Sequence, residues 1–221
     1  MASGEQNTKD TAGEDQPVDR AAMARYFDEA LESGMFVDFD PDERAGIRRI
    51  LDLCGVRRGD WIFEPGCGAG RFTRLLAQRV GPSGQVDACE MAPRMIEACR
   101  SRVRSDWVRF HQTTALEANL PAGEYDVVVC LNVWPHLDSV EAHLERFAAL
   151  LRPQSRLVIA HSLGRESVNA IHGFVAQPGV RACPLPPAKD LAAQLKSLGW
   201  RPESVMDEEI YFVCAQPPAR P

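Results

Sequence analysis

The residues with the clearest chemical purpose are Glu64-Pro65-Gly66-Cys67-Gly68-Ala69-Gly70, which follow the apolar run Trp61-Ile62-Phe63. Glycines at alternate positions permit a tight turn and let a ligand approach the backbone, and a helix starting after them presents free N–H groups to it. A plain tight turn is the bland alternative. The spacing is G-x-G-x-G, with Arg71 standing where the dinucleotide fingerprint G-x-G-x-x-G has its third glycine, so a nicotinamide cofactor is the weaker choice. Glu90 lies 20 residues beyond Gly70 and closes a second apolar run, where an acidic side chain can take both hydroxyls of a ribose.

A second set of reactive residues follows two later apolar runs. Asn132-Val133-Trp134-Pro135-His136 follows one, and His161-Ser162-Leu163-Gly164-Arg165-Glu166, then Asn169 and His172, follow the other. In an open parallel sheet, ligands bind beyond the carboxyl ends of the strands, so three of the five histidines converge on one rim. His136 and His161 are the first candidates for a base that takes a proton from a hydroxyl, amine or thiol, with His172 beside them, and Arg165 is suited to an acidic group on a substrate. A zinc or iron site of His136, His161 and His172 is the alternative, although no local HxH or HxxxH spacing supports it. His111, in a strand, and His143, on a helix, look ordinary. Asn132-Val133-Trp134-Pro135 lacks the adjacent prolines of the Asn-Pro-Pro-Tyr motif that grips a planar amino group.

These residues need a frame, and the hydrophobic pattern supplies one. Strands are expected at Trp61 to Glu64, Gln85 to Glu90, Val108 to Thr113, Tyr125 to Asn132, Arg156 to Ser162, Ser204 to Met206 and Ile210 to Ala215. Helices are expected at Ala21 to Ser33, from a cap at Asp40 to Gly55, and at Arg71 to Val80, Pro93 to Val103, Ser139 to Leu151 (capped by Asp138) and Asp190 to Leu198. Strand, helix, strand in alternation argues for crossover units on a parallel sheet, an α/β doubly wound fold. Residues 1–18 read as a disordered tail and 19–59 as N-terminal helices covering the site. A ligand-binding domain spans 60–221, with an irregular, lid-like insertion at 164–189 rich in proline. Tyr26, Phe27, Phe36 and Phe39 either close over the pocket or simply pack.

Composition narrows the function. With 25 Lys plus Arg against 31 Asp plus Glu, the chain carries a net charge of −6 and offers no general attraction to nucleic acid or anionic membranes. No apolar run approaches the ~18 residues of a spanning helix, and the polar N-terminus has no secretory or transit pattern, so a soluble, cytoplasmic protein is expected. Seven cysteines without CxxC spacing suggest neither disulfides nor a zinc knuckle; Cys183 alone falls near the expected site.

Taken together, Glu64 to Gly70, then Val80-Gly81-Pro82-Ser83-Gly84-Gln85-Val86, Glu90, Met95-Ile96 and Leu150-Leu151-Arg152-Pro153 resemble a class I S-adenosylmethionine-dependent methyltransferase, in the flavour of the ubiquinone and arsenite methyltransferase-like group. The resemblance runs from about Asp60 to Gln216. It implies a Rossmann-like sheet of seven strands, order 3-2-1-4-5-7-6, with the last strand antiparallel and helices on both faces. It also implies that Gly66, Cys67, Gly68 and Gly70 line the methionine part of the cofactor and that Glu64 helps hold its amino group. Glu90 would take the ribose, Met91 the adenine face, and Thr114, Ala115 and Leu116 the adenine edge, with Asn132 beside the transferred methyl. Ala92 departs from the Ser or Asn that commonly caps the next helix, which predicts a start weakened by roughly 1 kcal/mol.

The function expected from these readings is methyl transfer to a small molecule, leaving S-adenosylhomocysteine as product. Methylation of RNA or protein and a non-catalytic cofactor-binding subunit are the alternatives. A homodimer is left open, and no membrane or nucleic-acid partner is expected.

Overall fold

A computed structural model describes residues 19–175, 180 and 183–219. Its centre is a sheet of β1 (Trp61–Pro65), β2 (Gln85–Cys89), β3 (Val108–His111), β4 (Tyr125–Leu131), β5 (Leu151–His161), β6 (Arg201–Asp207) and β7 (Tyr211–Gln216). The order is β3-β2-β1-β4-β5-β7-β6, parallel except for β7, which runs antiparallel to both neighbours. The Rossmann-like topology expected from the sequence is the one observed.

Alternation along the central strands builds the two layers. Val127, Val129, Val158 and Ala160 bury toward one face, against α2 (Pro41–Leu53), α3 (Arg71–Val80) and α4 (Pro93–Arg102). Val128, Cys130, Leu157 and Ile159 bury toward the other, against α5 (Val140–Leu150), α6 (Arg165–Val175) and α7 (Ala188–Ser197). Strands buried on both faces lose the polar alternation of an exposed sheet and read as continuous apolar runs, which is why they were easy to find. Six of the cysteines are buried members of this packing and Cys183 is half-buried.

Three local readings are corrected. The stretch 164–189 is not irregular throughout, because α6 occupies Arg165–Val175; the prolines that suggested a loop all come after it. Strand β5 starts at Leu151, five residues early, since a register shift opposite Tyr125 and Val127 and a positive φ of 65° at Gln154 absorb the extra residues. Helix α5 is capped by Ser139, whose hydroxyl accepts from the Ala142 N–H at 3.4 Å, whereas Asp138 accepts from the Ser139 N–H at 3.1 Å.

Helix α1 (Arg20–Glu32) packs on α4. Its Asp28 carboxylate accepts from the N–H groups of Arg94 (3.0 Å) and Met95 (3.2 Å). The cap that Ala92 cannot provide is thus delivered from a distant helix, and the weakened start expected for α4 does not arise. The 1–18 tail lies outside the described residues. Among the described residues no helix is long and apolar enough to cross a membrane.

Candidate active site

A cavity of about 650 Å³ opens at the carboxyl ends of β1, β2, β4 and β5, within the ~300–1,000 Å³ usual for small-molecule sites. The glycine turn after β1 forms its floor, and its three glycines differ in purpose. All have positive φ (67°, 52° and 79° for Gly66, Gly68 and Gly70). A Cβ on Gly66 would run into the Val133 side chain, and one on Gly70 would lie 2.6 Å from Cys99 Sγ and 3.0 Å from its Cα. A Cβ on Gly68 would meet nothing within 4 Å. Gly66 and Gly70 are therefore required by packing, while Gly68 keeps ligand space open. Gly70, expected at the cofactor, instead begins α3 against α4 and is not among the cavity-lining residues.

Two carboxylates flank the turn. Glu90 accepts from the N–H of Gly68 (3.1 Å) and of Ala92 (2.9 Å), so one side chain fixes the turns after β1 and β2 together. Each oxygen has a second lone pair to offer a hydroxyl. Glu64 is 2% exposed, and its Oε2 has no hydrogen-bond partner. Burial pushes its carboxyl well above the usual range, tempered by the Thr73 hydroxyl. A buried, unsatisfied carboxylate beside a glycine cradle fits a ligand that brings N–H donors and positive charge.

The ends of β4 and β5 are tied through side chains. Asn132 sits at φ 54°; its Oδ1 accepts from the Ser162 N–H (2.9 Å) and its Nδ2 donates to Ser162 Oγ (3.1 Å). Ser162 Oγ in turn donates to Glu43 Oε1 (2.7 Å), and Glu43 pairs with Arg71 at 3.3 Å. Arg71 also donates to the Asp38 carbonyl and lies 4.4 Å from the centre of the Phe39 ring. One chain of contacts so links the strand ends, α2 and the first residue of α3. Glu43 also accepts from the Asp40 N–H (3.1 Å) in the capping box of α2, a local pattern, whereas its tie to Ser162 spans 119 positions and has no local signal.

Of the three rim histidines, His161 is 2% exposed and its Nε2 has no partner. Burial, and then the proximity of His136 and His172, lower it to about 3. His172 is half-buried, with an unpartnered Nδ1, and burial lowers it too. The His136 ring stands edge-on to His172 at 5.1 Å and to Phe27 at 5.3 Å. Among the described residues no group of three His, Cys, Asp or Glu side chains is placed to hold a metal ion.

Arg165 does not join this rim. It donates through Nε to Asp207 (3.2 Å) and does not line the cavity, because its helix turns it toward β6. Asn169 is likewise occupied with the backbone of Leu185, and Leu116 lies outside the lining. Cys183 donates its N–H to the Pro135 carbonyl without reaching the cavity wall. Glu64, Gly66, Cys67, Gly68, Glu90, Met91, Thr114, Ala115, Asn132, His136, His161 and His172 all line it. So do Tyr26, Phe27, Phe36 and Phe39. Overhead, Arg20 bridges Glu117 (2.7 Å) and Asp138 (3.3 Å), fastening α1 to the loops after β3 and β4.

Comparison with known proteins agrees with this geometry. Residues 62–154 match the methyltransferase domain family. Nocamycin O-methyltransferase of Saccharothrix syringae is 34% identical over 116 residues, half of this chain and 40% of that protein. The tRNA (adenine(58)-N(1))-methyltransferase of Thermus thermophilus is 31% identical over 152 residues, 66% of this chain and 55% of that protein. The chain thus spans about half the length, or less, of these curated relatives. A S-adenosylmethionine-dependent methyltransferase structure from Aquifex aeolicus superposes with a TM-score of 0.65 at 17% identity, covering 90% of this chain and 98% of that one.

Proposed function

We propose, from the premise that residues 62–154 form a methyltransferase domain on the class I fold, that the chain uses S-adenosylmethionine to methylate a small-molecule acceptor. The observation that carries this reading is the open space over Gly68, between the Glu90 carboxylate and the unsatisfied Glu64.

When bound, S-adenosylmethionine supplies a methyl group on a positively charged sulfur. Gly66, Cys67 and Gly68 would hold its methionine portion and Glu64 its ammonium. Glu90 would accept from the ribose hydroxyls, with Met91, Thr114 and Ala115 around the adenine. The chain's own part in the reaction is mostly positioning, which in a bimolecular displacement can supply several kcal/mol of the barrier, up to ~7–11. A proton-bearing acceptor must then release its proton. His161, with a value of about 3, stays neutral at pH 7 and is a poor base, so it orients the acceptor by hydrogen bonding. His172, half-buried in the cavity wall, is better placed to take the proton and pass it to water. Asn132 acts through Ser162, holding the β4 and β5 ends at fixed spacing.

Calorimetric titration with S-adenosylhomocysteine tests the cofactor assignment. Wild-type protein is expected to bind at one site per chain. Gly68→Val, which places two methyl groups in the ligand space, is expected to abolish the heat signal. Equal binding by the two proteins would remove the assignment.

A further inference from the structure

The charges around the cavity are lopsided. Among the described residues its wall carries two guanidinium groups, no lysine, and six carboxylates. Both guanidiniums are already committed: Arg20 to Glu117 and Asp138, and Arg71 to Glu43 and the Asp38 carbonyl. The sequence had offered Arg165 as the anchor for an acidic substrate, and that side chain is bound to Asp207 outside the cavity. Within the described wall no cation is left to receive a carboxylate or phosphate.

The surfaces near the histidines are aromatic and apolar. Phe27, His136 and His172 form a run of rings in edge-on contact, with Leu163, Val168 and the half-exposed Ile171 on the same wall. Edge-on and offset ring contacts of this kind suit a further flat ring laid against them. Bringing an anion into such a chamber would bury its charge with no free guanidinium or ammonium side chain of the described wall to pair with, which costs far more than seating an uncharged ring.

We propose that the methyl acceptor is an uncharged aromatic molecule, seated among Phe27, His136 and His172 and oriented by the unpartnered imidazole nitrogens of His161 and His172. This rests on the methyltransferase reading above and adds the acceptor's chemical class. The same wall selects against acceptors whose phosphate or carboxylate must enter the chamber, nucleic acid included.

The test uses the full chain with methyl-tritiated S-adenosylmethionine and a deproteinised extract of the source cells, with a parallel incubation containing total RNA. Products are resolved into RNA, anion-exchanger-retained, cation-exchanger-retained and uncharged solvent-extractable fractions. The expected result is enzyme-dependent label mainly in the uncharged fraction, in a compound with aromatic ultraviolet absorption. Label chiefly on RNA, on either exchanger, or on a non-aromatic compound overturns the proposal while leaving methyl transfer intact. No enzyme-dependent label in any fraction, from protein that binds S-adenosylhomocysteine calorimetrically, overturns the small-molecule reading and the proposal with it.

Discussion

Single atoms decide most of what happens in this cavity. The three glycines of the turn look equivalent in the sequence, yet a methyl group added to Gly70 meets α4 backbone and one added to Gly68 meets open space. Gly70→Ala is therefore expected to cost stability, by about 1–3 kcal/mol from overpacking with positive-φ strain added, measurable as a lower urea midpoint. Gly68→Ala carries only the backbone strain, and its larger effect is on ligand affinity. His161 gives a second prediction at this scale. Its folded-state value of about 3 lies below the ordinary histidine value, so the unfolded chain binds the extra proton as pH falls. The contribution of neutral His161 is fully present above about pH 6.5 and is lost on acidification toward pH 3, at up to about 1.4 kcal/mol per pH unit. Urea unfolding at pH 7, 6 and 5 is expected to show a shallower decline for His161→Asn than for wild type. Identical slopes would mean that the imidazole is protonated in the folded protein. The glycine and acidic residues of the turn were legible from their types and spacing. The roles of Glu43 and Arg71 were not, because each depends on a partner far away in the chain.

At the scale of elements, β1, β2, β4 and α3 are legible in the sequence nearly to the residue, since their apolar periodicity is enforced by burial. Helix α6 is masked in the sequence by the prolines that follow it, although Val168 and Ile171 carry helical spacing. The start of α4 shows a different limit: Ala92 signalled a poor cap, and only the fold reveals that Asp28 supplies the missing acceptor. Asp28→Ala is expected to cost about 1 kcal/mol in urea unfolding, while Asp28→Asn, which keeps an oxygen acceptor, recovers most of it. An equal loss from both would place the effect in charge and not in capping. The same substitution loosens α1 from α4, so weaker S-adenosylhomocysteine binding by Asp28→Ala is expected alongside the lower stability.

For the whole molecule, strand order and the antiparallel β7 followed from the family resemblance, while the parallel core followed from the alternation of runs. The buried Asp87 shows what neither could reveal. Burial alone would raise its carboxyl, but donors from His111 (2.7 Å), Arg109 (2.7 Å) and the Tyr125 hydroxyl (3.0 Å) hold it below the usual range. These partners come from β3 and β4, so this one carboxylate of β2 braces three strands. Its stabilisation is present above the unfolded value of about 4 and is lost as pH falls through the lower folded value. Asp87→Asn is expected to flatten the acid limb of stability below about pH 4 relative to wild type, read by the urea midpoint.

Helix α1 is held from both ends by groups that also shape the cavity: Arg20 on Glu117 and Asp138, and Asp28 on the first turn of α4. On the proposed reading, a ligand held beneath that helix would leave as some of these ties part, which adds an opening step to each turnover. The ion pairs of Arg20 are exposed and screened by salt. Salt should therefore hasten departure of S-adenosylhomocysteine more than it weakens the methyl-transfer step. The pace of the enzyme would then be set by how often its N-terminal helix lifts.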